Sequence, residues 1–262
     1  MLALYTAASG MAAQALAVQV ISNNIANLST TGYKRQRAEF QDLLYDHVRQ
    51  VGTQSSNQGN ILPVGIELGL GVKTVGTPRL MTQGNLSSTS NSLDLAVQGD
   101  GFFKILMPDG SFAYTRDGSF NLDAQGRIVT ANGNVVQPGI TVPQTASSIT
   151  INQQGQVSVT IPGNTTPSVL GQVSLTRFIN EAGLQAIGDN LLVETPASGP
   201  PQDGLPMQNG YGNIQQGNLE QSNVDAVVEM TNLITAQRSY EMNSKVITAT
   251  DQMLQTNNNM HT

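Results

Sequence analysis

Cysteine and tryptophan are absent from the 262 residues, histidine occurs twice, and charged side chains make up only 11 %. Without Cys there is no disulfide framework, no thiolate chemistry and no Cys-based zinc site. His47 and His261 stand in no motif, so a His-based triad or zinc site lacks partners at a usable spacing. The net charge of −6 and the densest basic cluster, merely Lys34, Arg35 and Arg37, exclude a phosphate-neutralising surface and hence a nucleic-acid partner. Ala13-Gln14-Ala15 resembles a signal-peptide cleavage site, but no Lys or Arg precedes Lys34, so the positive n-region is missing. Gln14 and Gln19 interrupt the apolar N-terminus, and no run is expected to reach the length of a membrane span, so the chain reads as not membrane-embedded.

In place of charge the chain carries amides, 23 Asn and 25 Gln. Amide and hydroxyl surfaces hydrogen-bond without mutual repulsion, so copies of one chain can pack closely. The same composition also suits extracellular β-domains. Three zones follow one another: residues 1–45 mainly helical, 46–222 glycine-rich and β-like, 223–256 helical again. In the first, Leu4, Met11, Val18 and Ile25 recur every seven residues beside Ala8, Ala15 and Ile21, a narrow stripe of the coiled-coil kind. It ends at Ser29-Thr30-Thr31-Gly32, with Gly32 as a terminating glycine. In the last, Ser222 and Asp225 give a capping signal, and Ala226, Leu233, Tyr240, Ile247 and Leu254 fall seven apart. With no Gly or Pro over 218–262, a helix of about 32 residues is expected. One long core helix is the other reading of that pattern.

Between the helices, short β-branched or aromatic runs alternate with turns. Phe102–Leu106 precedes Pro108-Asp109-Gly110, Arg127–Thr130 precedes Asn132-Gly133-Asn134, and Ser148–Ile151 precedes Gln154-Gly155. Turns this close together predict antiparallel hairpins, and 198–204 reads as a loop. Gln83-Gly84-Asn85-Leu86 reappears as Gln216-Gly217-Asn218-Leu219, with Asn91 five positions beyond the first Leu and Asn223 four beyond the second. Either this is chance in an amide-rich chain, or matching segments lead into and out of one β-domain. The fold class is thus α+β: long N- and C-terminal helices pairing as a coiled-coil-like stalk, with a mostly antiparallel β-domain between them. The helical domain comprises 1–32 and 223–262, a connecting segment 33–70 includes an insertion at 46–65, and the β-rich domain covers 71–222. Two terminal helices bury too little between them to offset the entropy of ordering, so the stalk is expected to fold only when neighbouring copies cover it.

No catalytic constellation emerges. Gly69-Leu70-Gly71 and Gly99-Asp100-Gly101 complete no phosphate loop. Asp117, Asn121 and Asp123 lack the EF-hand order and read as tight turns, and Arg116 beside Asp117 reads as a solvated pair.

Ser22–Lys34, with Asn23, Asn24 and Asn27, resembles the N-terminal signature of flagellar rod and hook proteins, and Val228–Ile247 is similar to that family's C-terminal end. Gly99–Phe103, Tyr114–Phe120 and Gly126–Val129 resemble its common β-domain. Length favours a rod subunit over the longer hook proteins. Lys34–Tyr45 and the stretch 46–65 favour the distal-rod branch, with a proximal rod or hook-type paralogue as the alternative. The resemblance implies a structural subunit without catalytic site, cofactor or metal, exported without a signal peptide to the basal body spanning the periplasm. It implies a hollow helical homopolymer that transmits torque and passes exported subunits. Its partners would be other copies, proximal rod proteins, the hook protein, the surrounding P- and L-ring proteins and, during assembly, a rod cap. The assembly interface is expected on Leu4, Met11, Val18, Ile25, Ala226, Leu233, Tyr240, Ile247 and Leu254. Asn23, Asn24 and Asn27 are either helix–helix hydrogen-bonding groups or plain helix-end polar residues. In 46–65, Val48, Val51, Ile61, Leu62 and Val64 are apolar among Gly, Ser, Asn and Gln, and are expected to stiffen the polymer by docking on a neighbour. A secreted hydrolase lacks its titratable cluster, and an amide-rich adhesin leaves the heptads unexplained.

Overall fold

The structure, a computed structural model, describes residues 2–49, 64–162 and 166–260. Helix α1 (Leu2–Ala26) and helix α2 (Ala226–Met260) flank a succession of short strands whose described pairings are all antiparallel. The chain forms two compact units, one from residues 1–25, 36–78 and 225–262, the other from 26–35 and 79–224.

The first unit holds the helices. Asp225 starts α2: its Oδ1 accepts from the N–H groups of Val227 and Val228 at 2.9 and 3.1 Å. Ser222 was expected in that role, but its Oγ accepts from the Val224 N–H before the helix begins. A carboxylate at the cap satisfies two orphan donors and complements the helix dipole. α1 ends at Ala26, six residues before Gly32. Gly32 is therefore not its terminating glycine; φ of +68° and an added Cβ only 2.7 Å from the Asp117 nitrogen explain why it is glycine. Contrary to the expectation from Gln14 and Gln19, α1 is long and apolar enough to cross a membrane by length and composition. Its many alanines outweigh the two amides.

The same unit carries a two-stranded ribbon. Glu39–Asp42 pairs with Val72–Gly76, and Tyr45–Arg49 pairs with Ile66–Gly69. Residues 46–49, the start of the 46–65 insertion, are thus strand, because Tyr45–Arg49 finds a complementary backbone in 66–69. Residues 50–63 lie outside the described part.

In the second unit, strand Phe102–Leu106 lies between Phe112–Thr115 on one side and Val135–Val136 and Leu175–Thr176 on the other. Its period of two sends Phe103 and Ile105 into the main core with Leu95, Val97, Phe120 and Ile214. Phe102 enters a second cluster with Tyr114, Phe178, Leu184 and Leu192. Edge-on contacts, Phe103–Phe120 at 5.1 Å and Tyr114–Phe178 at 4.7 Å, lock one ring pair in each. The hairpins at 102–115, 128–136 and 148–160 form where the turn residues place them. Segment 198–204 is not all loop: Gln202–Gly204 pairs with Leu175–Arg177. The repeated tetrapeptides come together, Leu86–Ser88 pairing with Asn218–Glu220 in register Leu86↔Glu220.

Candidate assembly surface

Helix α1 buries Ala7, Ala13, Ala17, Val20 and Asn24, and α2 buries Glu229 and Ala236. A Cβ added to Gly10 would lie 2.8 Å from Asn243 Nδ2. Farther along α1, Asn24 Nδ2 donates to Glu229 Oε2 at 3.3 Å. From Gly10 to Asn24 and from Asn243 back to Glu229 the interval is the same, so the helices run antiparallel in constant register. Ala17 and Ala236, both buried, stand midway. Gly10, Ala13, Ala17, Val20 and Asn24 follow alternating steps of three and four along one face of α1. Glycine at position 10 leaves room for the Asn243 side chain.

The stripe expected from hydrophobicity lies one residue farther along, about 100° around the helix. Leu4, Met11, Val18 and Ile25 are half-buried flanking residues. On α2, Ala226, Leu233 and Ile247 are half-buried, while Tyr240 and Leu254 are 44 % and 45 % exposed. From Asp251 to Met260 every residue of α2 is exposed.

Of the three asparagines, Asn24 is buried and acts within the chain. Its Nδ2 donates to the Gln36 carbonyl at 2.8 Å and its Oδ1 accepts from the Gln36 N–H at 3.0 Å, a side-chain copy of strand pairing. Asn27 accepts from the Thr30 hydroxyl at 3.1 Å in the turn after α1, and the Asn23 side chain lies on an exposed position. Val48, on the ribbon, and Val64, just before its strand Ile66–Gly69, are 60 % and 74 % exposed, and Val51, Ile61 and Leu62 lie outside the described residues.

The second unit contains a buried charged cluster that sequence reasoning missed. Lys34 Nζ lies 2.6 Å from Glu220 Oε1 and donates to the Thr82 carbonyl at 2.9 Å. Glu220 Oε1 also accepts from the Gly84 N–H at 2.9 Å, and the Glu220 carbonyl accepts from the Gly32 N–H at 2.7 Å. Arg116 is buried, with Nη1 3.5 Å from Glu220 Oε2 and its guanidinium 5.1 Å from the centre of the Phe102 ring. It is therefore not a solvated partner of Asp117, whose Oδ1 instead accepts from Ser119. Burial lowers the Lys34 pKa against the opposing pull of Glu220. Asn223 closes the same region, accepting from the Arg35 N–H and donating to the carbonyls of Leu80 and Thr82. The available signal was scarcity: in a chain with so few charges, a Lys and an Arg each beside a glycine turn are candidates for buried pairing.

Three family models match the chain: "Flagella basal body rod protein" over residues 4–34, "Flagellar hook protein FlgE/F/G D1 domain" over 96–159, and "Flagellar basal body rod FlgEFG protein C-terminal" over 215–260. The chain is 56 % identical over 255 residues to the flagellar basal-body rod protein FlgG of Caulobacter vibrioides, covering 97 % of both chains. It is 51 % identical to that of Agrobacterium fabrum, again covering 97 % of both. With the flagellar hook protein FlgE of Helicobacter pylori it shares 43 % identity over 136 residues, 51 % of this chain and 19 % of the hook protein.

Proposed function

The chain belongs to the FlgG family of flagellar basal-body rod proteins, a structural and non-enzymatic family of the distal rod, and from that premise we propose how its surfaces build the polymer. Copies stack as a hollow helical tube, the terminal helices pairing in coiled-coil fashion at the inner wall and the β-rich residues 71–222 forming the outer layer. The observation that carries this reading is the outward apolar face of the two-helix unit. Tyr5, Val227, Met230, Ile234, Met242 and Met253 are each 58–74 % exposed. Among the described residues nothing covers this face, whereas further copies can. Leu4, Met11, Val18, Ile25, Ala226, Leu233, Tyr240, Ile247 and Leu254 flank the intrachain seam and would complete contacts between copies. Asn23 and Asn27 would hydrogen-bond across helices. Val48, Val51, Ile61, Leu62 and Val64 would stiffen the tube from the ribbon. Proximal rod proteins, the hook protein, the P- and L-ring proteins and the rod cap would be its neighbours. Export to the periplasm without a signal peptide completes the reading.

Electron microscopy of purified full-length protein, with Leu233→Asp alongside, tests it. The parent should form straight tubes, and the variant none. An unpaired carboxylate in a dry contact costs several kcal/mol in every subunit. Normal tubes from Leu233→Asp, with an unchanged melt, would remove Leu233 from the interface.

A further inference from the structure

In the second unit a cavity of about 230 Å³ opens beside the charged cluster, lined by Asn27, Tyr33, Lys34, Arg79, Phe102, Arg116 and residues 188–192. Lys34 is engaged with Glu220 and Thr82. The two arginines have donors to spare. Arg116 is 5 % exposed, yet its Nε and Nη1 have no hydrogen-bond partner. Its nearest anion is Glu220, whose Oε1 serves Lys34 and the Gly84 N–H and whose Oε2 lies 3.5 Å from Arg116 Nη1, an ion pair without a hydrogen bond. Arg79 is half-buried and, among the described residues, has neither a hydrogen bond nor an ion pair; burial lowers its pKa. Two guanidinium groups therefore face one cavity with donors unspent, and a buried donor without a partner is costly. The acidic group in the wall is Asp189, which is exposed. Phe102, Leu191 and Leu192 add an apolar side.

We propose that this cavity is a carboxylate-binding site, in which Arg79 and Arg116 clasp one planar anion whose short apolar stem rests on Phe102 and Leu192. A carboxylate matches the guanidinium fork in two hydrogen bonds. The group comes either from an Asp or Glu of a second copy or from a free small acid. Binding is read on unassembled protein, so its outcome is independent of tube formation.

The experiment is thermal melting of the full chain with sodium propionate against propionamide and sodium chloride at matched ionic strength. Propionate at about a hundredfold excess over its Kd should raise Tm by roughly 5 °C, and the isosteric amide should not. Arg79→Gln, at a half-exposed position that should tolerate the change, should lose most of that rise; Arg116→Gln should lose it too where it folds. Equal rises with propionate and propionamide, or an undiminished rise in Arg79→Gln, would overturn the site. Where propionate binds, tube formation separates the sources. Slowed assembly at saturating propionate assigns the carboxylate to a second copy, and unaffected assembly assigns it to a free acid.

Discussion

Lys34 and Glu220 meet at 2.6 Å across 186 residues of sequence, with side chains 4 % and 0 % exposed. This pair ties the turn after α1 to the strand that leads out of the β-rich unit. Removing one member of a buried pair leaves the other charged and unsolvated, at about 3–5 kcal/mol. Glu220→Ala strands both Lys34 and Arg116 and should sit at the upper end of that range. Lys34→Met leaves Glu220 with Arg116 and the Gly84 N–H, so it should cost less. Urea denaturation of the two variants checks the order. A smaller loss for Glu220→Ala than for Lys34→Met would mean that the carboxylate does not organise the cluster.

A pH dependence follows at Glu181. Burial raises its folded-state pKa above 4.5, outweighing the pull of Arg116 and Lys34. The folded chain therefore holds a proton that the unfolded chain releases just above pH 4.5. The stability this group contributes is fully present below 4.5 and is lost as pH rises through the folded value. Glu181→Gln has no such proton. Relative to the variant, the parent should lose stability between pH 4.5 and neutrality, as followed by melting at successive pH values. A constant difference across that range would contradict the assignment.

The close approach of Gly10 to Asn243 makes a graded series possible. Gly10→Ala needs only a swing of the Asn243 amide and gains about 1 kcal/mol of helix propensity, so assembly should change little. Gly10→Leu overfills the seam at about 1–3 kcal/mol, raising the critical concentration roughly tenfold. Asn243→Ala should restore part of the loss. Sedimentation of the two single variants and the double variant measures the coupling; strict additivity would place the two residues apart.

Much of this architecture could be read without coordinates, for identifiable reasons. Pro108-Asp109-Gly110 and Asn132-Gly133-Asn134 fix local turns, so the hairpins they close were legible. The phase of the helix seam was not. Hydrophobicity points to Leu4, Met11, Val18 and Ile25, whereas close contact and burial within the chain fall on Gly10, Ala17 and Asn24, one residue before Met11, Val18 and Ile25. The charged cluster was illegible because nothing local in Lys34, Arg116 or Glu220 announces partners so far away in sequence. Only the tertiary pairing of Leu86–Ser88 with Asn218–Glu220 brings Glu220 beside Gly84.

The last prediction concerns the ribbon and stiffness. Val48 and Val75 on the two-stranded ribbon, and Leu44 and Val64 next to its strands, are 52–81 % exposed, and such a ribbon is marginal alone in water. Exposed valine and leucine on a marginal element bring solubility and aggregation costs unless another surface covers them. In the proposed polymer that surface belongs to a neighbouring copy, and each such contact restrains sliding between subunits. Tyr45 and Gly69 are register partners, so residues 46–68 can be replaced by a two-residue Asn-Gly turn while Glu39–Asp42 stays paired with Val72–Gly76. The shortened chain should keep the melting temperature of the β-rich unit, because none of the removed residues belongs to it. Its tubes should be bent or polymorphic under electron microscopy, with a persistence length well below the parent's. Straight tubes of equal stiffness would show that the ribbon does not set rigidity, and the restraint would then have to lie in the helices alone.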